Sequence, residues 1–298
     1  MTQSDMVIAD NIYRVNYKLQ GLLTMNKQQR HINKLVKNFI KKGLKYNYKK
    51  NNFEKAIQMF DKAIELNPNN ANAYKHRGDV YLCTDLEKAI KDYTKAIELK
   101  PNYIGAYSAR AAIYYSPLVD VPITKAIEDY VTILSYTNNF CKAYEYLGEI
   151  LYANEDYEWA DFMFTKAIEL QPQKFYHYRQ RGKNYIKLQE YDKAIEDFTV
   201  AITSDIWYDK VEGYRFLAKI YCLLKDNNLA IEFYTKAIDL CSNKTMLDNW
   251  DYDLLIQCYK YRSEVYLVLG EKEKADMDLK LMAESKLKQK EIEELIAF

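Results

Sequence analysis

The stretch YEYLGEILYANEDYEWADFMFTKAIELQP, residues 144–172, decides the fold of this chain. In its first half, Tyr144, Gly148 and Leu151 stand four and three residues apart, so a large, a small and a large side chain share one face of a helix. Its second half repeats a helical spacing of apolar residues and ends at Pro172, which cannot continue a helix. The stretch therefore predicts two helices joined by a short turn.

The second half of this stretch is one of seven related copies along the chain. The copies read KAIQMFDKAIEL (55–66), KAIKDYTKAIEL (88–99), KAIEDYVTILSY (125–136), WADFMFTKAIEL (159–170), KAIEDFTVAITS (193–204), LAIEFYTKAIDL (229–240) and KADMDLKLMAES (274–285). The small residue near the start of each copy is Ala56, Ala89, Ala126, Ala160, Ala194, Ala230 and Ala275, with spacings of 33, 37, 34, 34, 36 and 45 residues. A period near 34 residues with small insertions indicates a repeated helix hairpin.

Upstream of six of these markers lies the same spacing of a large, a small and a large residue. The sets are Tyr74/Gly78/Tyr81, Tyr107/Ala111/Tyr114, Tyr144/Gly148/Leu151, Tyr178/Gly182/Tyr185, Tyr214/Ala218/Tyr221 and Tyr259/Ser263/Tyr266. The small residue lets the two helices of a hairpin approach closely. The first copy departs from the pattern, with Ile40 and Leu44 in place of the aromatic and the small residue.

The combined pattern resembles the tetratricopeptide repeat family, in which an aromatic-x-x-Leu-Gly-x-x-Tyr helix precedes an Ala-x-x-x-Phe helix and a proline. The copy most similar to it contains Tyr144, Leu147, Gly148, Leu151, Ala160, Phe164, Ala167 and Pro172. The resemblance covers about residues 37–285 and recurs in six or seven copies. It implies an all-α fold, a right-handed superhelical solenoid of about seven helix hairpins with terminal capping helices.

The resemblance also sets the expected domain boundaries. Residues 1–36 are predicted to form an N-terminal capping helix region, 37–285 the repeat array and 286–298 a C-terminal capping helix, because a solenoid needs polar-faced end elements. Insertions at 116–122 and 241–250 interrupt the array and are candidate sites of specificity.

Composition limits the class of partner and the compartment. Lys+Arg 43 against Asp+Glu 42 leaves a net charge of +1, so no global field attracts nucleic acid or an anionic membrane. Five widely spaced cysteines predict no disulfide framework. The chain shows no signal-peptide core and no apolar run of membrane-spanning length, which predicts a cytoplasmic protein without membrane contact.

The sequence offers no site for catalysis. None of the three histidines has a second ligand at metal-binding spacing on its own helix face, and phosphate-binding or nucleophile motifs do not occur. The acidic pairs Glu128/Asp129 and Glu196/Asp197 are interpreted as a solvated helix face with lysine partners. We therefore predict neither an enzyme nor a metal site, and no cofactor.

The resemblance implies that the first helices of successive hairpins line a groove that meets the ligand. Groove positions in each repeat read Lys41/Lys45, Lys75/Asp79, Ser108/Ala112, Glu145/Glu149, Arg179/Lys183, Arg215/Lys219 and Lys260/Glu264. Two adjacent repeats thus concentrate positive charge, and the basic segment is defined as Arg179, Lys183, Lys187, Arg215 and Lys219. The aromatic residues predicted beside it are Tyr115, Tyr146, Tyr152, Tyr176 and Phe216.

Arginine and aromatic anchors are typical of binding hot spots, so the basic segment predicts a groove for an extended or helical peptide with an acidic cluster or a terminal carboxylate. The alternative is that these residues form salt bridges within the repeats, worth ~0–1 kcal/mol each. The carboxylate clamp of heat-shock chaperone co-factors is not reproduced, because Lys41 is followed by Lys45 and Arg179 by Lys183 where the clamp has asparagine.

The leading functional prediction is a protein–protein interaction scaffold or adaptor whose partner is another protein or peptide. The alternative is an RNA-binding helical solenoid, since 29 tyrosines beside Arg and Lys could stack on bases. Most of those tyrosines occupy core positions of the repeat, and a net charge near neutrality does not favour phosphate binding. The oligomeric state is left open.

Overall fold

A computed structural model describes residues 26–48, 51–244 and 248–296 of the chain, with side chains to residue 294. The capping helix predicted near the N-terminus, over about residues 5–24, lies outside the described residues. The part that is described consists of helices and short connections and contains no strand. The predicted all-helical fold class is confirmed.

The helices are numbered in chain order. They are α1 (26–48), α2 (Phe53–Leu66), α3 (Ala71–Tyr81), α4 (Leu86–Leu99), α5 (Ile104–Tyr115), α6 (Thr124–Tyr136), α7 (Cys141–Ala153), α8 (Tyr157–Leu170), α9 (Phe175–Lys187), α10 (Tyr191–Ala201), α11 (Trp207–Leu223), α12 (Asn227–Ser242), α13 (Asn249–Val268) and α14 (Lys272–Ile296). Each odd-numbered helix is the first helix of a hairpin and each even-numbered helix is the second.

The described residues form two compact units that divide between Asn138 and Asn139. The first unit holds α1–α6 and the second holds α7–α14. Inside each unit, the second helix of one hairpin also packs against the first helix of the next, as α8 packs on α9 and α10 on α11. Each unit is therefore a stack of hairpins whose core runs from one hairpin to the next.

The small residue of each first helix is the point of closest approach within a hairpin. A Cβ atom added at Gly148 would lie 2.7 Å from a ring carbon of Phe164 on the second helix. Gly182 meets Phe198 in the same way, at 2.8 Å. The fully buried aromatic ring fills the space that the missing side chain leaves, which is the physical meaning of the spacing seen in the sequence.

The first hairpin follows the same rule, one residue earlier than the sequence predicted. A Cβ atom at Gly43 would lie 2.7 Å from the ring of Phe60, so Gly43 is the small residue. Phe39 stands four residues before it and Tyr46 three after, which completes the pattern. The assignment of Ile40 and Leu44 to these positions was wrong, and the groove pair Lys41/Lys45 derived from it moves by one residue as well.

An ion pair between a partly buried arginine and a buried aspartate recurs in four hairpins. The arginine immediately precedes the small residue of the first helix and donates two hydrogen bonds, of 2.7–2.9 Å, to an aspartate of the second helix. The pairs are Arg77–Asp92, Arg110–Asp129, Arg181–Asp197 and Arg262–Asp278. Each guanidinium also lies 5.6–6.0 Å from the centres of two tyrosine rings of its own helix. The repeated tyrosines thus enclose an ion pair.

This network corrects the interpretation of the acidic pairs. Asp129 and Asp197 are only 4% and 3% exposed, and their partners are arginines rather than lysines. Glu128 and Glu196, beside them, are exposed as predicted. The role of the acidic pairs is structural, but half of each pair belongs to the interior.

The ends of the helices agree with the proline positions, since α2, α4 and α8 stop two residues before Pro68, Pro101 and Pro172. The connection expected from 241 to 250 is shorter, because α12 continues to Ser242 and α13 begins at Asn249.

The segment predicted as a separate C-terminal helix from residue 286 continues α14 without a break up to Ile296. In the described part of the chain, none of the helices has both the length and the apolar character needed to cross a membrane.

Candidate functional site

The candidate site lies on the first helices of the second unit. In this unit α7 contacts α9, α9 contacts α11 and α11 contacts α13, so these helices form a continuous wall. The basic segment lies on α9 and α11, the middle of this wall. The structure therefore brings its five residues onto neighbouring helices; Tyr115, by contrast, ends α5 in the first unit.

Arg179 is the most buried residue of the basic segment. Only 7% of it is exposed, and its guanidinium lies 5.3 Å from the ring centre of Tyr176 and 4.8 Å from that of Tyr208. Its Nη1 atom lies 3.4 Å from the Oδ1 atom of Asp209, a long ion pair. Its buried Nε and Nη1 atoms make no hydrogen bond within the described chain. Arg179 thus holds donors that are desolvated but not satisfied.

A cavity of about 520 Å³ adjoins this arginine. Its lining residues are Gln171, Gln173, Lys174, Phe175, Tyr176, Arg179, Ile206 and Asp209. Ile206 is 61% exposed at its rim. The cavity therefore combines apolar walls with a buried cationic group, the combination expected of a specific polar-ligand site.

Lys183 is half-buried on α9, one turn after Arg179. Its ammonium lies 5.2 Å from the ring centre of Phe216 and forms no ion pair with any described residue. Burial lowers the pKa of Lys183 to about 8, an effect that Glu212 opposes and that Arg179 and Arg215 strengthen. A bound anion would relieve this cost.

Arg215 is already paired. It donates from Nε to Oε1 of Glu212 at 2.8 Å, and Glu212, three residues earlier on α11, is only 3% exposed. The Arg215 guanidinium also lies 4.4 Å from the ring centre of Phe216. This residue supports the alternative that part of the basic segment serves intrarepeat salt bridges.

The predicted aromatic residues separate into two groups. Phe216 is 9% exposed and stacks on Phe198 with ring centres 4.9 Å apart, so it belongs to the core beneath Lys183 and Arg215. Tyr146, Tyr152 and Tyr176 are half-buried. Tyr152 packs edge-on against Tyr157 at 5.7 Å, close to the turn between α7 and α8.

Tyr176 joins Glu149, one of the two acidic groove positions of α7, to α9. Its hydroxyl donates to Oε1 of Glu149, and Gln180 donates to that hydroxyl at 2.8 Å. Burial raises the pKa of Tyr176, and Glu149 raises it further. Tyr176 is thereby held beneath the Arg179 guanidinium.

Lys187 and Lys219 are the exposed members of the basic segment, and within the described ranges neither forms an ion pair. Lys219 and Arg215 line a second cavity, of about 600 Å³, between α11 and α13. Its apolar lining includes Val268, which is 75% exposed. These two lysines extend the positive surface from Arg179 along the wall.

Two acidic residues of the wall were missed in the sequence. Glu212 could have been found, because it stands three residues before Arg215 on the same helix. Asp209 reaches Arg179 from the next hairpin, 30 residues along the chain, and its sequence position carries no signal for that contact. After these pairings, the described residues leave Lys183, Lys187 and Lys219 of the basic segment without an ion pair, and Arg179 with two donors that make no hydrogen bond.

Comparison with protein families identifies the repeat. A family model described as TPR repeat matches residues 47–83 and 85–116. A second model, described as tetratricopeptide repeat, matches residues 142–174 and 211–244, which include most of α7 and the greater part of α11 of the wall. The matches therefore fall in both units.

Two characterised relatives are similar over shorter stretches. Small glutamine-rich tetratricopeptide repeat-containing protein 2 of Saccharomyces cerevisiae is 33% identical over 107 residues, which is 36% of this chain and 30% of that protein. Hsc70-interacting protein 1 of Drosophila melanogaster is 32% identical over 89 residues, which is 30% of this chain and 23% of that protein. The match thus spans less than a third of either relative.

Among solved structures, the C-terminal part of a TPR repeat-containing protein from Cytophaga hutchinsonii has a TM-score of 0.64. It is 20% identical and the alignment covers 85% of this chain and 93% of that one. At 20% identity, this similarity supports a common fold and carries no information about function.

Proposed function

The chain is a tetratricopeptide repeat protein, and we propose that it acts as a non-catalytic adaptor that binds an acidic segment of another protein in the groove of its second unit. The observation that carries this proposal is the state of Arg179. Its guanidinium is desolvated between two tyrosine rings, and its Nε and Nη1 atoms make no hydrogen bond within the described chain, since the Asp209 carboxylate lies 3.4 Å from Nη1. A carboxylate of a ligand in the adjoining cavity would give this guanidinium a charge partner at hydrogen-bond distance.

Charge and shape support the same class of ligand. The cavity beside Arg179 opens onto a wall that carries Lys183, Lys187 and Lys219, so a chain lying along it meets four cationic groups. Of these, Lys183 gains most from an anion, because burial has lowered its pKa to about 8. An extended or helical segment with several carboxylates, or with one near its C-terminus, has the complementary charge.

The use of the tyrosines favours a protein ligand over RNA. Eight of them lie against the four partly buried arginines of the Arg–Asp pairs and support hairpin packing. The relative from Drosophila is named for interaction with a protein, Hsc70. Both observations are in line with the near-neutral net charge of +1.

A peptide array tests the proposal. Peptides with clustered Asp and Glu or a free C-terminal carboxylate are compared with the same peptides carrying Asn, Gln or an amidated end. We expect binding that requires the carboxylates and weakens with salt. Equal binding of the acidic and amide series would refute the acidic ligand, and binding of single-stranded RNA alone would favour the RNA-binding alternative.

The exposed lysines give the cleanest variants. Lys187→Glu/Lys219→Glu should weaken binding of the best acidic peptide by about tenfold, since each reverses a charge at the rim. Lys280→Glu/Lys288→Glu on α14 changes the net charge equally and should leave binding unchanged. Reversing the charge of Arg179 or Arg215 by substitution with Glu is less informative, because the new carboxylate would lie beside Asp209 or Glu212 and disturb folding.

A further inference from the structure

A second cluster lies between α7 and α9, at the end of the wall next to the Arg179 cavity. Cys141 and Glu145 stand four residues apart on α7, and His177 faces them from α9. The Nε2 atom of His177 lies 2.9 Å from Oε2 of Glu145 and 3.8 Å from Sγ of Cys141. The three ligand atoms all lie within 4.8 Å of one another. We propose that this Cys–Glu–His cluster binds a zinc ion.

The donor set fits zinc. A thiolate, an imidazole nitrogen and a carboxylate oxygen are the three ligand types that Zn²⁺ takes in proteins, at about 2.0–2.3 Å. Tetrahedral bonds of that length place neighbouring ligand atoms roughly 3.3–3.8 Å apart. The distances from His177 Nε2 to the other two ligand atoms, 2.9 and 3.8 Å, are within a fraction of an ångström of that range, and the separation of the thiol and the carboxylate, up to 4.8 Å, must shorten by up to about 1 Å. The sulfur and nitrogen ligands disfavour Mg²⁺ and Ca²⁺, which prefer oxygen.

The burial of the cluster points to a ligand as well. His177 is 0% exposed and Cys141 8%, so water has little access to either. It is the Nε2 atom of His177 that faces both the thiol and the carboxylate. A fully buried imidazole aimed at a thiol and a carboxylate is an expensive arrangement if packing is its only role.

In this structure, Lys174 neutralises the Glu145 carboxylate of the cluster. Its ammonium lies 2.5 Å from Oε2 of Glu145, the same oxygen that faces His177. The Lys174 side chain is 41% exposed and can turn into solvent, so a divalent ion can replace it next to Glu145. Lys174 also lines the Arg179 cavity.

The sequence does not reveal this set by helical spacing, because its three residues are divided between two helices. His177 has no ligand partner on α9, and its partners lie 36 and 32 residues earlier on another helix. For His76 the sequence prediction that no histidine has a second ligand on its own helix face was wrong, since Asp79, three residues later on α3, lies 3.2 Å from its Nδ1 atom. His76 and Asp79 form no set of three, whereas the Cys–Glu–His cluster does.

Cobalt substitution tests the site directly. The purified full chain is stripped with a chelator and titrated with Co²⁺, and the near-ultraviolet absorption of thiolate-to-cobalt charge transfer is followed. We expect a band that saturates at one equivalent of Co²⁺ and disappears when Zn²⁺ is added. Zn²⁺ should also raise the Tm of the stripped chain, because it binds the folded state.

Two variants assign the ligands. Cys141→Ser and His177→Gln should each abolish the band while helicity measured by circular dichroism is retained. Cys83→Ser, which alters an exposed thiol far along the chain, should leave it intact. The proposal is overturned if the wild-type chain gives no charge-transfer band, or if the band survives in both ligand variants or is lost with Cys83. The wild-type titration decides the matter even if a ligand variant fails to fold.

Discussion

The Arg181–Asp197 pair offers a sharp test of how the hairpins are held together. Removing only the carboxylate, as in Asp197→Met, leaves the Arg181 side chain, which is 18% exposed, without the carboxylate that it hydrogen-bonds. Breaking a buried pair in this way costs about 3–5 kcal/mol. The remaining bond from Arg181 to Thr165, at 2.9 Å, and the partial exposure place the expected loss near about 3 kcal/mol.

The neighbouring hairpin supplies the compensating change. At the positions of Arg181 and Asp197, the α7–α8 hairpin has Leu147 and Met163, which shows that an apolar pair fits the same register. The free energy of unfolding of the double variant Arg181→Leu/Asp197→Met should therefore lie within about 1 kcal/mol of the wild-type value. Burial raises the pKa of Asp197 even though Arg181 acts to lower it, which agrees with an ion pair whose desolvation is not fully repaid.

The assay is urea unfolding followed by circular dichroism, with the free energies of unfolding combined in a double-mutant cycle. We expect a coupling free energy of about 2 kcal/mol or more between the two sites. If the double variant loses as much stability as the two single variants together, the pair is not coupled and this account of the hairpin interior is refuted.

Three further changes have defined outcomes. Gly148→Ala should destabilise the chain by about 1–3 kcal/mol, because the new methyl group meets the Phe164 ring at 2.7 Å, and adding Phe164→Leu should restore part of the loss in urea unfolding. Gln189→Gly should stabilise the chain by about 0.5–1 kcal/mol, because Gln189 has a φ of 60°. The equivalent turn of the last hairpin has Gly270 at this position. No gain in Tm would show that the turn is unstrained. Lys183→Met should be more stable than wild type at pH 7 by of order 2 kcal/mol, because the pKa of Lys183 is about 8 in the folded state and 10.5 in the unfolded state. The stability of the wild type should rise between pH 8 and 10.5, where only the unfolded state stays protonated. A difference in stability that does not change with pH would contradict this assignment.

The hairpins could be predicted from the sequence because their main contacts are local and periodic. Gly148 and Phe164 stand 16 residues apart and recur in every copy in some form, so spacing alone indicated the contact. The shift at Gly43 was recoverable too, since Phe39 and Tyr46 complete the pattern around it. A stricter alignment of the first copy would have found it.

The Arg–Asp pairs could have been predicted from the sequence only by comparing the copies with one another. Arginine precedes the small residue in four copies, and aspartate stands three residues after the alanine marker in the same four. Aligning the copies position by position would have revealed this joint occurrence and the burial of Asp129 and Asp197. Treating acidic residues as surface residues, copy by copy, concealed it.

The contacts between hairpins were beyond the reach of the sequence. Arg179 meets Asp209 and Cys141 meets His177 only because neighbouring first helices pack at a particular rotation and distance. No periodic signal reports that rotation, since it depends on the whole interface between hairpins. Both the candidate groove and the Cys–Glu–His cluster depend on contacts of this kind.

The most direct test of the central claim follows the Arg179 side chain itself. Its Nε–H resonance, assigned by its loss in Arg179→Lys, is recorded by nuclear magnetic resonance while the best acidic peptide from the array is added. The Arg181 Nε–H group, already bonded to Asp197 at 2.9 Å, serves as an internal reference. We expect the Arg179 signal to shift with the acidic peptide and not with its amide counterpart, while Arg181 stays in place. A peptide that binds without moving the Arg179 signal would contradict the proposed groove.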